Sequence, residues 1–243
     1  MDLEERIRQR FRKALVKYRL TEDGDRILVG LSGGKDSLCL LELLARQASI
    51  HKPAIRVEAL HVRMENIQYE TDVQWLQQFC DGLGVRLHVR TTCFGEAVEG
   101  QKSKPACFLC SWMRRKQLFA VAQELGCNKI ALGHHQDDII HTALMNLCFQ
   151  GHFSTMPVRL QMRKMPLTII RPLCLETEAD IKALATLHHY QPQRKLCPNE
   201  RDTHRTTMGS VFNQLEELNP ETRYSIWNAL EREGKLCTAD PTT

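Results

Sequence analysis

No apolar stretch in this sequence approaches the roughly 20 residues that a membrane-spanning helix needs, so a membrane protein is not expected. There is no internal repeat and no low-complexity tract, which sets aside collagen-like, coiled-coil and disordered classes. Nor is there a strong excess of one charge. Lys and Arg number 33 against 29 Asp and Glu, a net +4. The pI near 8.5 falls below the value of about 9 that marks a nucleic-acid domain outright, so the placement of charge matters more than its sum. The first twenty residues lack the apolar core of a secretory signal and instead carry Arg6, Arg8, Arg10, Arg12, Lys13, Lys17 and Arg19. A reducing cytoplasm is therefore expected, where the ten cysteines would not build a disulfide framework. What is present is ordinary for a globular chain: 243 residues, 26% charged and 42% hydrophobic, enough for one large domain or one domain with a small annex.

Leu3, Ile7, Phe11, Ala14, Leu15 and Tyr18 recur at helical spacing, so residues 2–20 read as an amphipathic helix. Its basic face is either a solvated surface or a phosphate-contacting one. Arg26–Leu31 (RILVGL) suits a buried strand, and further strands are expected at 55–62, 85–89, 129–133 and 168–171. Helices are expected at 38–48, 72–83, 107–125, 137–149 and 178–188, with 192–208 irregular and closing helices at 211–218 and 220–233. Short apolar strands alternating with helices predict an α/β fold, a parallel five-stranded sheet flanked by helices. The motifs divide the chain into a basic helix (1–22), a nucleotide-binding domain (23–190) and a C-terminal segment (191–243).

The sharpest local signal is Ser32-Gly33-Gly34-Lys35-Asp36-Ser37, after an apolar strand and before a helix. Two glycines let backbone approach a ligand, and a helix start offers amide N–H groups and a positive dipole end to an anion. Lys35 adds charge, and Ser32 and Ser37 add hydroxyl donors. Asp36 would repel phosphate unless a Mg²⁺ ion bridges them. The run is not a Walker A loop, because Asp36 follows the lysine, and no GxGxxG fingerprint occurs.

Ser32–Ser37 resembles the pyrophosphate loop of the N-type ATP pyrophosphatases, which cleave ATP between the α and β phosphates and activate a carbonyl oxygen as an adenylate. The resemblance implies a Rossmann-like sheet of the adenine nucleotide alpha hydrolase type, with ATP across the carboxyl ends of the strands, as in open α/β sheets generally. A second motif, Gly133-His134-His135-Gln136-Asp137-Asp138, follows the fourth strand and opens a helix. Taken alone it is a helix cap; beside the glycine loop, its two carboxylates become candidates for holding Mg²⁺ near a nucleotide. It is similar to the Gly-His-His-x-Asp-Asp motif of tRNA 2-thiocytidine synthetases and their relatives, and Arg171-Pro172-Leu173 matches a strand-end segment of the same group. His61, at the end of the second strand, joins Gly133 and Asp138 among the expected nucleotide-binding residues. Lys35, Asp36 and Asp137 are expected to take part in catalysis.

Cys107-Phe108-Leu109-Cys110 is the only CxxC, and in a helix both thiols lie on one face. Two ligands do not close a zinc site, so a partner is needed. Cys197 in Leu196-Cys197-Pro198-Asn199 is the best candidate. Three thiolates can hold a [4Fe–4S] cluster with one iron lacking a protein ligand, and the resemblance implies this for Cys107, Cys110 and Cys197. A zinc site completed by His204, a persulfide relay between Cys107 and Cys197, and two buried core cysteines are the alternatives.

Arg114, Arg115 and Lys116 directly follow the CxxC, where an RNA substrate would need phosphate contacts. The expected activity is ATP-dependent tRNA sulfur transfer, at cytidine C2 by resemblance. A sulfur donor such as a cysteine desulfurase is an expected partner, and a homodimer is left open. The rivals are a lysidine-type ligase, a persulfide-based uridine thiolase, a small-metabolite sulfur transferase and a non-catalytic nucleotide- or RNA-binding module.

Overall fold

The structure, a computed structural model, describes residues 2–50, 52–65, 69–70, 73–93, 106–191, 194–195 and 204–238. In chain order the elements are α1 (Leu3–Lys17), β1 (Arg26–Gly30), α2 (Lys35–Ala48), β2 (Arg56–Met64), β3 (Tyr69–Glu70), α3 (Val73–Gly82), β4 (Arg86–Thr92) and α4 (Ala106–Glu124). Then follow β5 (Lys129–Ala131), α5 (Gln136–Gln150), β6 (Arg159–Gln161), β7 (Thr168–Ile170), α6 (Glu178–Leu187), β8 (Arg194–Lys195), α7 (His204–Leu218) and α8 (Thr222–Arg232). The chain divides into two compact units, residues 22–131 with 189–199, and residues 1–21 with 132–188 and 200–243.

The first of these units is built on parallel strands in the order β4-β2-β1-β5. Leu28 of β1 stands opposite Glu58 of β2 on one side and Ile130 of β5 on the other, and Leu60 of β2 opposite His88 of β4. Ile27, Leu28 and Val29 are wholly buried, as a strand covered on both faces requires. α2 supplies Leu38, Leu40, Leu41 and Leu44 to the same core. A buried ion pair joins the loops leading into β1 and β5: Lys129 Nζ lies 2.6 Å from Asp25 Oδ2, while Asn128 donates to Asp25 Oδ1 at 2.7 Å.

In the second unit the basic face of α1 is largely taken up by acidic partners. Arg6 and Arg10 reach Asp180 at 2.8 and 2.5 Å, Arg10 also reaches Glu176 at 2.7 Å, and Lys17 reaches Glu231 at 2.5 Å. Three of those four contacts are made on α6 or beside it and one on α8, so this face is mainly a packing surface. β6 pairs antiparallel with β7, Leu160 opposite Ile169.

All five expected strands are present. Among the described residues the strands beyond them are β6 and the two-residue pair β3 and β8. β6 has only three residues, two of them polar, so it carries no apolar run for a pattern to register. α7 begins at His204 rather than Val211, because Met208 and Phe212 bury one helical turn apart. Among the described residues no helix is long and apolar enough to cross a membrane.

Candidate active site

The glycine loop leaves β1 at its carboxyl end. Leu31 N–H donates to Leu60 O at 2.9 Å, which prolongs the strand by one residue. The chain then turns at Gly33 with φ +84°, a left-handed conformation that glycine adopts without a Cβ penalty. Gly34 is the N-cap of α2, in extended conformation. Ser37 is buried and staples the turn: its Oγ accepts from Gly33 N–H at 3.2 Å, donates to Gly34 O at 2.9 Å and lies 3.1 Å from Ser32 Oγ. Lys35 and Asp36 stand half-exposed on the first turn, Lys35 Nζ 3.2 Å from Asp36 Oδ1. The result is a tight anion-facing turn with a lysine at its helix start.

His61, on β2, is buried, and its Nδ1 lies 2.8 Å from Leu31 O, the carbonyl just ahead of Ser32. A carbonyl only accepts, so Nδ1 carries the proton and Nε2 keeps its lone pair. Burial lowers the affinity of His61 for a second proton, and the cations of Arg114 and Arg63 lower it further. The ring is thus a neutral strut between β2 and the loop. Arg114 reaches it electrostatically from α4, the helix that carries the CxxC.

That helix changes character along its length. Its far end buries Val121 and Ala122, whereas Cys107 is exposed and Cys110 half-buried on the first two turns. The two thiols lie three residues apart on one flank of the helix. Of the basic trio that follows, Arg115 and Lys116 are exposed and Arg114 is turned inward. The third expected thiol, Cys197, lies outside the described residues. Among the described residues no group of three or more His, Cys, Asp or Glu side chains is arranged to hold a metal ion. Cys107 and Cys110 fit a cluster as an accessible pair of sulfur donors that needs completion by a further residue.

The remaining cysteines are mostly core. Cys39, Cys80, Cys127 and Cys174 are buried. Burial pushes the Cys80 thiol up to about 12 and Cys127 up to about 11. Cys148 is exposed, because the last turn of α5 faces outward together with Leu147 and Phe149.

In the second unit the Gly133–Asp138 motif opens α5. His135 is the N-cap, and Asp138 Oδ2 accepts its backbone N–H at 3.0 Å. Asp137 is buried and fully engaged. Oδ2 accepts from Glu178 N–H at 2.8 Å and lies 3.5 Å from His135 Nδ1, while Oδ1 lies 2.8 Å from Arg223 Nη2. Burial alone would raise its proton affinity; His135, the Glu178 amide and Arg223 together overcome that and hold the carboxyl well below the usual range. Arg223 in turn pairs with Glu216 at 2.9 Å and lies 4.9 Å from the centre of the Phe212 ring. A magnesium role was expected of Asp137, but its carboxylate already has a guanidinium counter-ion, which makes it an anchor for α5, α6 and α8. Arg171 donates from Nε to His134 Nδ1 at 3.3 Å and from Nη1 to Pro157 O. Arg223 has no place in any local motif. It stands 87 residues beyond Gln136, which it also touches.

The strand–glycine loop–helix arrangement and its lysine define the nucleotide-binding class of the N-type pyrophosphatases, and comparison with known proteins agrees. Residues 3–193 match the PP-loop domain, and the chain belongs to that family. Among curated relatives, the tRNA-cytidine(32) 2-sulfurtransferase of Bordetella avium is 34% identical over 95% of this chain and 73% of its own length. The tRNA-cytidine(32) 2-sulfurtransferase 1 of Francisella tularensis subsp. novicida is 34% identical over 94% of this chain and 86% of its own. The solved U34-tRNA thiolase NcsA of Methanococcus maripaludis, determined with its [4Fe–4S] cluster, superimposes with a TM-score of 0.75. It is 26% identical and covers 95% of this chain and 78% of its own.

Proposed function

We propose that this chain is a cytoplasmic ATP-dependent tRNA sulfurtransferase that replaces the C2 oxygen of cytidine, at position 32 as in its named relatives, by sulfur. The observation that supports it best lies within one compact unit. The phosphate-facing turn and the CxxC helix are both anchored there on β2, the turn through Leu31 and His61 and the helix by packing on that strand.

In this reading Ser32, Gly33, Gly34, Lys35 and Ser37 bind the phosphates of ATP. Backbone amides and the Lys35 ammonium take up charge as the base carbonyl oxygen attacks the α-phosphorus and pyrophosphate departs. The adenylated carbon then has AMP as its leaving group. Neutral His61 fixes the start of the loop and, with Gly133, belongs to the nucleotide site. Asp36 is the carboxylate beside the loop assigned to Mg²⁺; in the other unit Asp137 holds the start of α5, where Asp138 is assigned to nucleotide binding. Cys107, Cys110 and Cys197 would hold a [4Fe–4S] cluster, which when bound supplies the sulfur to the activated carbon. Arg115 and Lys116 contact RNA phosphate, and the sulfur comes from a donor of the cysteine desulfurase kind. Self-association as a homodimer is compatible with this assignment.

The test is made on anaerobically purified protein. Iron and acid-labile sulfide are counted for the wild type and for Cys107→Ala and Cys197→Ala, and tRNA nucleosides are compared from cells with and without the gene. Cluster absorption lost in both variants, with 2-thiocytidine missing from the deleted cells, is the expected result. Loss of 2-thiouridine instead would move the product to uridine. An iron-free protein that still thiolates would replace the cluster by a persulfide.

A further inference from the structure

The outward stripe of α4 is aromatic and cationic at once. Phe108 and Trp112 are each 50% exposed, although large aromatic side chains usually spend their area in a core. Ser111, Arg115 and Lys116 share the same exposed side, at spacings of three and four residues. Lys116 Nζ lies 5.7 Å from the centre of the Trp112 ring. The two aromatic positions are separated by about 6 Å along the helix axis. The stripe begins beside Cys107.

We infer that this stripe is a stacking platform for unpaired nucleobases of the RNA substrate, Phe108 and Trp112 each taking a base and Arg115 and Lys116 the neighbouring phosphates. The inference rests on the tRNA reading above and deepens it: the recognised feature is a splayed single-stranded loop, not duplex. The page favours this occupant over a protein partner through charge. A flat π face flanked by two exposed cations complements the base and phosphate of a nucleotide, whereas a hydrophobic protein contact would be weakened by two desolvated cations. It also gives a physical reason for exposing two aromatics next to an exposed thiol. A base must leave its stack before its carbonyl can be activated, and a stacking surface offsets part of that loss.

The probes are an RNA hairpin with a seven-nucleotide unpaired loop and a blunt duplex of the same stem, titrated against wild type, Trp112→Ala, Phe108→Ala, Trp112→Tyr and Lys116→Gln. Thermal melts monitor folding. Truncating Trp112 is expected to weaken hairpin binding roughly tenfold and leave duplex binding unchanged, and Tyr at 112 restores most of the loss. Lys116→Gln weakens both probes and lowers the salt dependence of hairpin binding by roughly one phosphate contact. A folded Trp112→Ala protein that binds the hairpin as the wild type does overturns the platform while leaving the tRNA reading intact. So does a Trp112-dependent dimer in sedimentation with hairpin affinity unchanged, because the stripe is then an interface between copies. Wild-type protein that binds neither probe overturns both.

Discussion

Glu176 offers a perturbation whose size follows from its surroundings. Its side chain is wholly buried, beside Arg10 at 2.7 Å and near Asp180, and its backbone oxygen accepts the N–H of Gln136 at the start of α5. Burial raises its affinity for a proton more than Arg10 lowers it, and Asp180 adds to the rise, so the group moves from 4.5 to about 7. The gap is about 2.5 pH units, at about 1.36 kcal/mol each, or about 3 kcal/mol. Between pH 4.5 and 7 the folded chain binds more protons here than the unfolded chain does. The stabilising contribution is therefore complete below pH 4.5 and is lost as pH rises through 7. In Glu176→Gln the neutral amide stands in for the protonated acid at every pH. Urea unfolding of the two proteins from pH 4 to pH 8.5 reads the difference, in which all other titrations cancel. The two should be nearly equal in stability near pH 4, and the variant should be more stable by about 3 kcal/mol above pH 8. A difference that stays flat, or that grows in favour of the wild type with pH, would refute the reasoning and show that Arg10 outweighs burial.

Three further outcomes follow. Gly33→Ala forces a side chain into φ +84°, so it should cost roughly 1–2 kcal/mol in unfolding experiments and weaken ATP binding measured by calorimetry. Lys129→Met strands the buried Asp25 carboxylate and should destabilise by about 3–5 kcal/mol, whereas the double change with Asp25→Leu should recover most of it. Arg223→Gln removes the counter-ion of Asp137; the carboxyl should then titrate at a higher pH, visible by NMR of the labelled side chain, with sulfur transfer declining on the acid side first.

The strand–loop–helix turn was legible because its parts are contiguous: an apolar run, two glycines and a lysine fix the local path of six residues. The CxxC was legible for the same reason, although the sequence did not tell that Arg114 turns inward while Arg115 and Lys116 stay out. That depends on the phase of α4 against the sheet, which a run of three cations cannot report. His61 could be named as a candidate, but its bond to Leu31 is a cross-strand event and invisible along the chain. The ion pair of Asp137 was not legible because its partner, Arg223, sits on a helix far downstream. A carboxylate at a helix start looks the same in sequence whether a metal or a guanidinium neutralises it.

α4 is fixed at one end and chemically exposed at the other, and such a helix transmits rotation. Inserting a single residue between Arg114 and Val121 would swing Cys107 and Cys110 by about 100° about the axis and carry Arg114 away from His61. Four inserted residues would bring the azimuth back to within about 40° while displacing the thiols by about 6 Å along the axis. The length of this helix is thereby tied to its angular phase, and length variants of that stretch would separate the bearing of the two thiols from their distance.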